Sequence, residues 1–563
     1  MVTLEKMTIT EVLKRSVNLF AGKVALSGID GNAVSYNELN NKVEKISNFL
    51  KDQGIVSGDR VAILSENSPN WGISYLAITT MGAVAVPIMT EFQSADVHHI
   101  LRHSGSKAIF ISAKLYEKVE EFVSENLNTF ILIDDFSIIP HSKSTDLIST
   151  TLKEGKREFA KILDAALKFV GVKNEEVDED DLAAIVYTSG TTGHSKGVML
   201  THKNIVFDAI ATSDFVGVTE TDRMLSQLPL AHTMECTLGL IFPIMVGVSV
   251  FYLEKPPTAA ILLPALKKVK PTIMISVPLI IEKIYKMKIL PEINRKALTR
   301  NLYKVPVLRK KINKVAGKKL LDTFGGDLRM FCIGGAALAP DVENFLGEAK
   351  FPYAVGYGLT ETAPLVTGTD NFKVRFGAAG TVLYGMEVKI VDPDTTTGEG
   401  EVYIKGPNVM KGYYKDPDKT KEVLTEDGWF KSGDLGFMDK EGYLFLKGRS
   451  KNVIIGSNGK NIYPEEIESV INENSFVLES LVYASAGKII ARIHLNYEEL
   501  DEELGLKDVN ESEARKKVDN LLNEILMMVN KRVSTFSKLN KVIEQPEPFE
   551  KTPTKKIKRY LYT

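Results

Sequence analysis

The segment YTSGTTGHSKGVML, residues 187–200, holds a dense group of residues that could bind a phosphate. Its glycines allow backbone conformations that direct several N–H groups at one anion. Hydroxyl groups and a lysine add further donors and a positive charge, which is what a polyphosphate needs. The candidate phosphate-binding residues are Thr188, Ser189, Gly190, Thr191, Thr192, Gly193 and Lys196.

Two other loop motifs fit this segment poorly. A Walker A loop requires Gly-Lys-Ser/Thr after four residues, whereas Lys196 is followed by Gly197. Residues 193–197 match Gly-x-Ser-x-Gly, but an esterase nucleophile stands directly on a strand-to-helix turn, and here four small residues intervene after the strand. We therefore do not expect Ser195 to be a nucleophile.

Six further segments accompany this loop along the chain. They are LPLAHTMECT (228–237), GGAAL (334–338), GYGLTET (356–362), GWFKSGDLG (428–436), GRSKNVIIGSNGKNIYPEEIE (448–468) and KTPTKKIKR (551–559). Together with residues 187–200, and in this order, they resemble the motifs of the adenylate-forming superfamily of acyl-CoA synthetases, luciferases and peptide-synthetase adenylation domains. The resemblance spans about residues 10–563.

The resemblance implies a ligase that uses ATP to activate a fatty acid to acyl-AMP, releases pyrophosphate, and then transfers the acyl group to coenzyme A. A free carboxylate is a poor acyl donor because its leaving group would be oxide, whereas the adenylate can lose AMP. The first step brings two anions together, so it needs cations and oriented donors. ATP, Mg²⁺ and coenzyme A are the expected cofactors and co-substrates.

The resemblance assigns catalytic positions to Lys556, Thr360, Glu361 and His232. Lys556 matches the lysine that reaches the carboxylate and the α-phosphate. Thr360 and Glu361 stand where the family binds magnesium and the α-phosphate, and Thr188 with Glu361 would be the metal ligands. His232 matches a residue that gates the acyl pocket.

The nucleotide would be held by residues of three motifs. In this interpretation Tyr357 offers a flat face to adenine, Asp434 accepts hydrogen bonds from the ribose hydroxyls, and Arg449 supports the ribose. The expected nucleotide contacts are Gly335, Ala336, Ala337, Gly356, Tyr357, Gly358, Asp434 and Arg449.

The family rotates its C-terminal domain between the two steps, which is a hinge closure. Lys451 matches the hinge, and Gly459 matches the loop that enters the site for thioester formation. The chain departs from the pattern at Lys555, where a glycine usually precedes the catalytic lysine, and at Asn452, where an acid often follows the hinge. Lys555 is therefore a rival to Lys556, which the spacing to Arg559 favours.

The composition excludes several classes of protein. The chain has 563 residues, with 70 basic and 72 acidic side chains and a net charge of −2, so no overall field would attract nucleic acid. Its two cysteines, Cys236 and Cys332, indicate reduced thiols rather than a disulfide framework. The apolar stretch 237–253 is too short to span a membrane and predicts a buried helix followed by a strand. We expect a cytoplasmic protein, or one peripheral at the inner membrane surface.

Apolar runs with strand character alternate with helical patterns through the first two thirds of the chain. Residues 39–54 are amphipathic, with Val43, Ile46 and Leu50 on one face and Gly54 at the end. Such alternation favours a parallel sheet covered by helices. The predicted strands are residues 60–66, 107–112, 130–135, 182–189 and 271–277.

The predicted fold class is α/β. We expect a large N-terminal domain, 1–448, for AMP and acyl binding, with mixed, mostly parallel sheets, helices and a β-rich subdomain at about 375–448. Residues 449–563 would form a small, mobile α+β lid that hinges near Lys451.

Alternatives remain within the superfamily and outside it. The runs LPLAH and TPTKKIKR resemble the long-chain branch, but an aryl- or medium-chain acyl-CoA ligase and an acyl-carrier-protein ligase are rivals. Residues 237–253 would serve equally well as a wall of an acyl tunnel or as ordinary core. A non-catalytic binding protein is disfavoured because Thr360, Glu361 and Lys556 are all present.

Overall fold

The computed structural model describes residues 2–31, 33–139, 176–188, 195–456, 460–505, 507, 509–553 and 556–563. Two large mixed sheets with helices packed against them make up most of the chain, which confirms the predicted α/β class. Each sheet has a parallel centre; the nine-stranded sheet is antiparallel at both edges and the seven-stranded sheet at one.

The nine-stranded sheet carries most of the strands that end near the candidate site. Its central strands pair in parallel. Antiparallel pairing adds two strands at one edge, Leu365–Gly368 and Thr381–Val382, and one strand at the other, Val34–Ser35. In spatial order the strands are Thr381–Val382, Leu365–Gly368, Tyr353–Gly358, Met330–Ile333, Ile273–Ser276, Arg223–Ser226, Ser249–Tyr252, Val24–Gly28 and Val34–Ser35.

The seven-stranded sheet contains the strand that leads into residues 189–194. Four of its strand pairs are parallel, and the hairpin that flanks residues 189–194 is antiparallel. In spatial order the strands are Gly412–Tyr413, Lys196–Thr201, Leu182–Thr188, Val84–Pro87, Arg60–Leu64, Ala108–Ile111 and Thr129–Leu132.

Helices pack on these sheets and bury two large apolar clusters between them. The helices are Ile9–Phe20, Tyr36–Asp52, Pro69–Thr80, Ser94–Ser104, His202–Phe215, Thr233–Cys236, Phe242–Val246, Ala259–Val269, Pro278–Ile284, Leu290–Asn294, Ala297–Tyr303, Pro306–Thr323, Pro340–Ala349, Pro417–Val423, Pro464–Asn472, Tyr497–Leu504 and Glu511–Arg532.

The structure contains each of the five predicted strands and the predicted helix, with differences at their ends. The helix predicted at 39–54 begins three residues earlier, at Tyr36, because Ser35 and Glu38 form a capping box. The strand predicted at 130–135 ends at Leu132, because the chain turns there and the Leu132 N–H donates to the Ser137 carbonyl at 2.8 Å. Asp135 accepts hydrogen bonds from Ser137 within this turn.

The apolar stretch 237–253 is a buried helix followed by a strand, as predicted. A π-helical turn, Thr237–Ile241, continues into the helix Phe242–Val246 and ends at Gly247, whose φ is 82°. The strand Ser249–Tyr252 then enters the nine-stranded sheet. Among the described residues, no helix combines the length and the apolar character that crossing a membrane requires.

After residue 385 the sheets are small. An antiparallel four-stranded sheet contains Glu387–Val391, Gly400–Lys405, Phe430–Met438 and Leu444–Arg449. A two-stranded ladder, Ile454–Ile455 with Asn461–Ile462, and a three-stranded sheet, Val477–Ser485, Lys488–Leu495 and Lys541–Glu544, follow. Residues between 462 and 542 form an apolar cluster of their own. The domain boundary at 449 stays a prediction.

Candidate functional site

The site begins where two neighbouring parallel strands end. Met330–Ile333 and Tyr353–Gly358 pair in parallel, so their carboxyl ends lie at the same edge of the sheet, where open α/β sheets bind ligands. The exposed residues Gly335, Ala336 and Ala337 follow the first strand. Gly356, Tyr357 and Gly358 end the second. The predicted adenine side of the site is therefore assembled from adjacent strand ends.

A buried carboxylate joins this edge to the four-stranded sheet. The Tyr357 hydroxyl donates to Asp434 Oδ2 at 2.6 Å, and Arg449 Nε lies 2.8 Å from Asp434 Oδ1. Arg449 also donates to the Ser432 carbonyl at 3.0 Å. Burial raises the pKa of Asp434, while Arg449, Tyr357 and Lys556 lower it. Each Asp434 oxygen keeps a lone pair, so the carboxylate can still accept from a ribose hydroxyl.

The turn after Gly358 presents Thr360 and Glu361. A Cβ on Gly358 would lie 1.7 Å from the Pro364 carbonyl oxygen, so only glycine fits where the chain doubles back. The Thr362 hydroxyl donates to the Pro364 carbonyl at 2.7 Å and accepts from the Leu359 N–H at 3.0 Å. This bonding fixes the short 3₁₀ turn Thr360–Thr362 that carries both predicted residues.

Tyr413 connects the predicted magnesium ligand to the phosphate lysine. Its hydroxyl donates to Glu361 Oε1 at 2.9 Å, and the Lys196 ammonium lies 5.2 Å from the centre of its ring. Burial lowers the pKa of Lys196, as do Lys419 and Lys451, whereas Glu361 raises it. Thr188 pairs with Lys196 across the strand hairpin. Lys196, Thr188 and Glu361 thus lie in one region.

Lys556 comes to this region from the C-terminal part of the chain. Its surroundings lower its pKa through desolvation and through Arg449, while Asp434 and Glu361 raise it. The side chain is nevertheless solvent-accessible, as expected for an ammonium in an open cleft between protein walls. The structure therefore brings Lys556, Glu361, Asp434 and Arg449 within mutual electrostatic range, as the motifs predict.

A half-buried ion pair anchors the segment that carries Lys556. Arg559 lies 2.8 Å from Glu468 and donates to the Val482 carbonyl at 2.5 Å. Within the segment, the Thr552 N–H donates to the Lys556 carbonyl at 2.8 Å, and the Lys556 N–H donates to the Thr552 hydroxyl at 3.1 Å. These contacts set the position of the lysine relative to the cleft.

His232 lies on the other side of the cleft, at the start of the helix Thr233–Cys236. Its Nδ1 accepts from the Met234 N–H at 3.2 Å. Burial, with a smaller effect of Lys556, lowers the pKa of His232 to about 4, so the ring is neutral near pH 7. A neutral ring is suited to lining an acyl pocket.

Several predicted residues lie outside the described ones. They are Ser189, Gly190, Thr191, Thr192 and Gly193 of the phosphate loop, Gly459 of the thioester loop, and Lys555, the rival of Lys556. The hinge candidate Lys451 lies in a 3₁₀ turn, Ser450–Asn452, directly after the strand that ends at Arg449. Asn452 donates to Glu465 at 2.6 Å.

The site fits a magnesium ion that is held mainly by its substrate. No cluster of three or more His, Cys, Asp or Glu suited to a metal occurs among the described residues. Mg²⁺ commonly takes one or two carboxylates together with substrate phosphates. Glu361, with the hydroxyl of Thr188, provides such a hard-oxygen set.

Sequence reasoning missed Tyr413, Asp208 and the pairing of Arg559 with Glu468. Tyr413 and Asp208 lie outside the motifs, and the ion pair joins two motifs that are far apart in the chain. Asp208 is buried, accepts from the Leu365 N–H at 3.2 Å, and receives the Asn408 amide at 3.3 Å, which supports the strand after the Thr360–Thr362 turn. The available signal for Asp208 was an acid within the apolar run IVFDAIA, residues 205–211.

Glu235, one helical turn after His232, is a further buried acid. Neither carboxyl oxygen has a hydrogen-bond partner, and a Cβ on Gly239 would lie 2.7 Å from Oε1. Burial raises the pKa of Glu235 to about 8 from its ordinary value of 4.5, against a small lowering by Ser226. The folded protein therefore holds this carboxyl protonated at neutral pH.

We expect Glu235→Gln to stabilise the protein in a pH-dependent way. Between about pH 4.5 and 8 the folded state binds the proton that the unfolded state has lost, so the free energy of unfolding falls as pH rises through this window. Glutamine removes that penalty, which gives up to about 4 kcal/mol at pH 8 and almost nothing near pH 5. Thermal unfolding of variant and wild type at both pH values measures this, and a difference independent of pH would contradict it.

Comparison with known proteins identifies the architecture. The family of AMP-binding enzymes matches residues 13–414. The chain is 30% identical over 516 residues to the chloroplastic long-chain fatty acid–[acyl-carrier-protein] ligase AEE15 of Arabidopsis thaliana, covering 80% of this chain and 70% of that protein. It is also 30% identical over 577 residues to fatty acyl-CoA synthetase B of Dictyostelium discoideum, covering 94% and 83%.

A solved structure shares the fold over the full length. The ATP-bound RpMatB-BxBclM chimera B1 superposes with a TM-score of 0.75 at 25% identity, covering 99% of this chain and 98% of that one. The two large sheets and the smaller C-terminal part thus occur together in a solved structure. The chain belongs to the AMP-binding enzyme family and is an adenylate-forming ligase.

Proposed function

We propose that the enzyme converts a long-chain fatty acid to its coenzyme A thioester in two steps. In the first, a carboxylate oxygen attacks the α-phosphorus of ATP and pyrophosphate leaves. In the second, the thiol sulfur of coenzyme A attacks the acyl carbon, the thiol proton is lost, and AMP leaves. The observation that carries this proposal is the convergence of Lys556, Glu361, Asp434 and Arg449 in one cleft.

The residues divide the work of the first step. Asp434, held by Arg449 and Tyr357, positions the nucleotide through its ribose. Lys556 offsets the negative charge that gathers between the carboxylate and the α-phosphate. Lys196 neutralises the outgoing phosphates. A bound Mg²⁺ would supply charge neutralisation and orientation of the phosphate oxygens.

We propose a long-chain fatty acid as the substrate because of the relatives and of the surroundings of His232. Both curated relatives described above are named for fatty acyl substrates. Next to His232, Met234 packs with Leu228, Leu238 and Ile275 in an apolar cluster, and such walls are typical of lipid pockets. An aryl or medium-chain acid is the alternative.

Coenzyme A is proposed as the acceptor over a carrier protein. The coenzyme A-dependent relative aligns with 94% of this chain, against 80% for the carrier-protein ligase. For the second step, residues 449–563 would rotate about Lys451. Cys236 and Cys332 form no disulfide, which favours a reducing compartment, and we therefore propose a cytoplasmic location.

Pyrophosphate release from the purified enzyme with ATP and Mg²⁺ tests this function. Acids from acetate to palmitate, and several aryl acids, would be compared with and without coenzyme A. We expect release to peak with long acids and to turn over repeatedly only with coenzyme A. A single burst that coenzyme A does not extend, but a holo carrier protein does, would overturn the acceptor. A peak with aryl or short acids would overturn the substrate.

A further inference from the structure

The positive charge of this protein is concentrated in one segment. Residues 278–323 contain thirteen lysines and arginines and three acidic residues, a net charge of +10, although the whole chain carries −2. The remainder therefore carries −12. All residues of this segment belong to the described part of the chain. None of them is part of the candidate site.

Six of the thirteen cations lie at exposed positions between residues 296 and 318. The longest, Pro306–Thr323, packs on the helix Pro340–Ala349, where a Cβ on Gly317 would lie 2.7 Å from Ala349. Arg309 pairs with Glu348 at 2.7 Å on that inner side. We define the basic helical face by six exposed cations on this helix and in or beside the preceding one, Ala297–Tyr303. None of the six has an ion pair among the described residues: Lys296, Arg300, Lys304, Lys311, Lys314 and Lys318.

The segment that carries these cations also exposes an unusual number of aliphatic side chains. Seven of the nineteen large hydrophobic side chains that are exposed in the described chain lie between residues 279 and 315. Leu298 is 71% exposed, Val307 66% and Val315 62%. Val307, Lys311, Val315 and Lys318 follow each other at three or four residues, so they share one side of the helix. Cations and aliphatic groups therefore alternate on one surface.

We propose that the basic helical face docks the protein on the surface of an anionic phospholipid bilayer. Lysine and arginine side chains are attracted to anionic headgroups, while neighbouring aliphatic side chains enter the acyl boundary. Charge alone would suit any polyanion. The exposed valines and leucine favour a bilayer over a nucleic acid, because a nucleic acid offers no apolar layer. In addition, no aromatic side chain of residues 278–323 is exposed for stacking on bases.

This docking goes beyond the proposed reaction and does not depend on its substrate. It also differs from contact through the lysine-rich C-terminal residues 551–563, because Arg559 and Lys556 of that segment face Glu468 and the active-site cleft. If the substrate is a long-chain acid, docking would place the enzyme where such acids partition.

Sedimentation of the full-length protein with vesicles tests the proposal. We expect binding to vesicles of phosphatidylcholine with about one third phosphatidylglycerol, little binding to phosphatidylcholine alone, and weakening in high salt. Lys311→Glu/Lys314→Glu/Lys318→Glu should reduce binding at least about tenfold. The matched control, Lys516→Glu/Lys531→Glu/Lys538→Glu, changes the net charge equally on exposed residues of the C-terminal part and should bind like wild type.

A second variant isolates the apolar contribution. Val307→Ser/Val315→Ser keeps every charge and should lose about tenfold in binding, with most of the loss persisting in high salt. Thermal unfolding and pyrophosphate release confirm that each variant is folded. Absence of wild-type binding to anionic vesicles would overturn the proposal. So would equal loss in the control triple, full binding by the serine variant, or binding only to a DNA duplex or an acidic protein.

Discussion

Lys556→Ala is expected to abolish adenylate formation while the thioester half-reaction from supplied acyl-AMP continues. The ammonium lies within electrostatic range of Glu361, Asp434 and Arg449, and desolvation lowers its pKa. A fixed positive charge at this position offsets the negative charge that develops between the carboxylate and the α-phosphate. Removing one such fixed charge typically costs about 10²–10³ in rate.

The separation of the two half-reactions is the informative part. After acyl-AMP has formed, the thiol attacks the acyl carbon and needs no bridging charge to the leaving pyrophosphate. Single-turnover formation of acyl-AMP, followed beside thioester formation from chemically prepared acyl-AMP, measures each step. Equal loss in both would show that Lys556→Ala damages the site in general and would contradict the specific role.

Lys555→Ala is the matched control because it removes the neighbouring lysine from the same segment. The backbone N–H of Lys556 donates to the Thr552 hydroxyl. Arg559, three residues after Lys556, pairs with Glu468. We therefore expect Lys555→Ala to retain adenylation within a few-fold of wild type. If Lys555→Ala rather than Lys556→Ala abolishes the first step, the register of the motif is displaced by one residue.

The sequence predicted those parts of the site that depend on local backbone. Gly358 is an example, since the return of the chain at Pro364 leaves no room for a Cβ and so fixes glycine in the motif. Tyr357 and Asp434 were likewise predicted as nucleotide contacts within their motifs, although the hydrogen bond that joins them across 77 residues was not foreseen. Their roles in binding stay predictions.

What the sequence could not predict depends on pairing between distant elements. Tyr413 contacts Glu361 only because the short strand Gly412–Tyr413 adds to the edge of the seven-stranded sheet. Apolar runs predicted the parallel central strands well, because such strands are buried on both faces. Apolar runs do not indicate where a strand ends and the chain turns, as at Leu132, or how two sheets are placed side by side.

Asp434→Ala is expected to weaken ATP binding by about ten- to a hundredfold, with a smaller effect on the maximal rate. The change removes the proposed ribose acceptor and also leaves Arg449 and the Tyr357 hydroxyl without their partner. Because Arg449 is half-exposed, the loss of Asp434 should cost less than the about 3–5 kcal/mol typical of a fully buried charge pair, and part of this cost destabilises the free enzyme. Calorimetric titration with ATP and Mg²⁺ measures the affinity directly.

Two comparisons separate nucleotide binding from structural damage. Tyr357→Phe removes the hydroxyl that donates to Asp434 but keeps the aromatic face, so it should weaken ATP binding far less than Asp434→Ala. Asp434→Asn keeps the size of the side chain and a carbonyl acceptor, so it should lie between the two. Unchanged ATP affinity in Asp434→Ala, with thermal unfolding close to that of wild type, would refute the ribose role.

Asp434→Ala should also change the pH dependence of the adenylation rate, because Asp434 affects the pKa of Lys556. Asp434 raises the pKa of Lys556, whereas Arg449 lowers it. Without Asp434 the pKa of Lys556 falls, so the ammonium loses its proton at a lower pH. The alkaline limb of the adenylation rate should therefore move to lower pH in Asp434→Ala, while in Lys196→Ala, which lacks this coupling, the limb should stay in place. An alkaline limb that does not move would show that the two residues act independently.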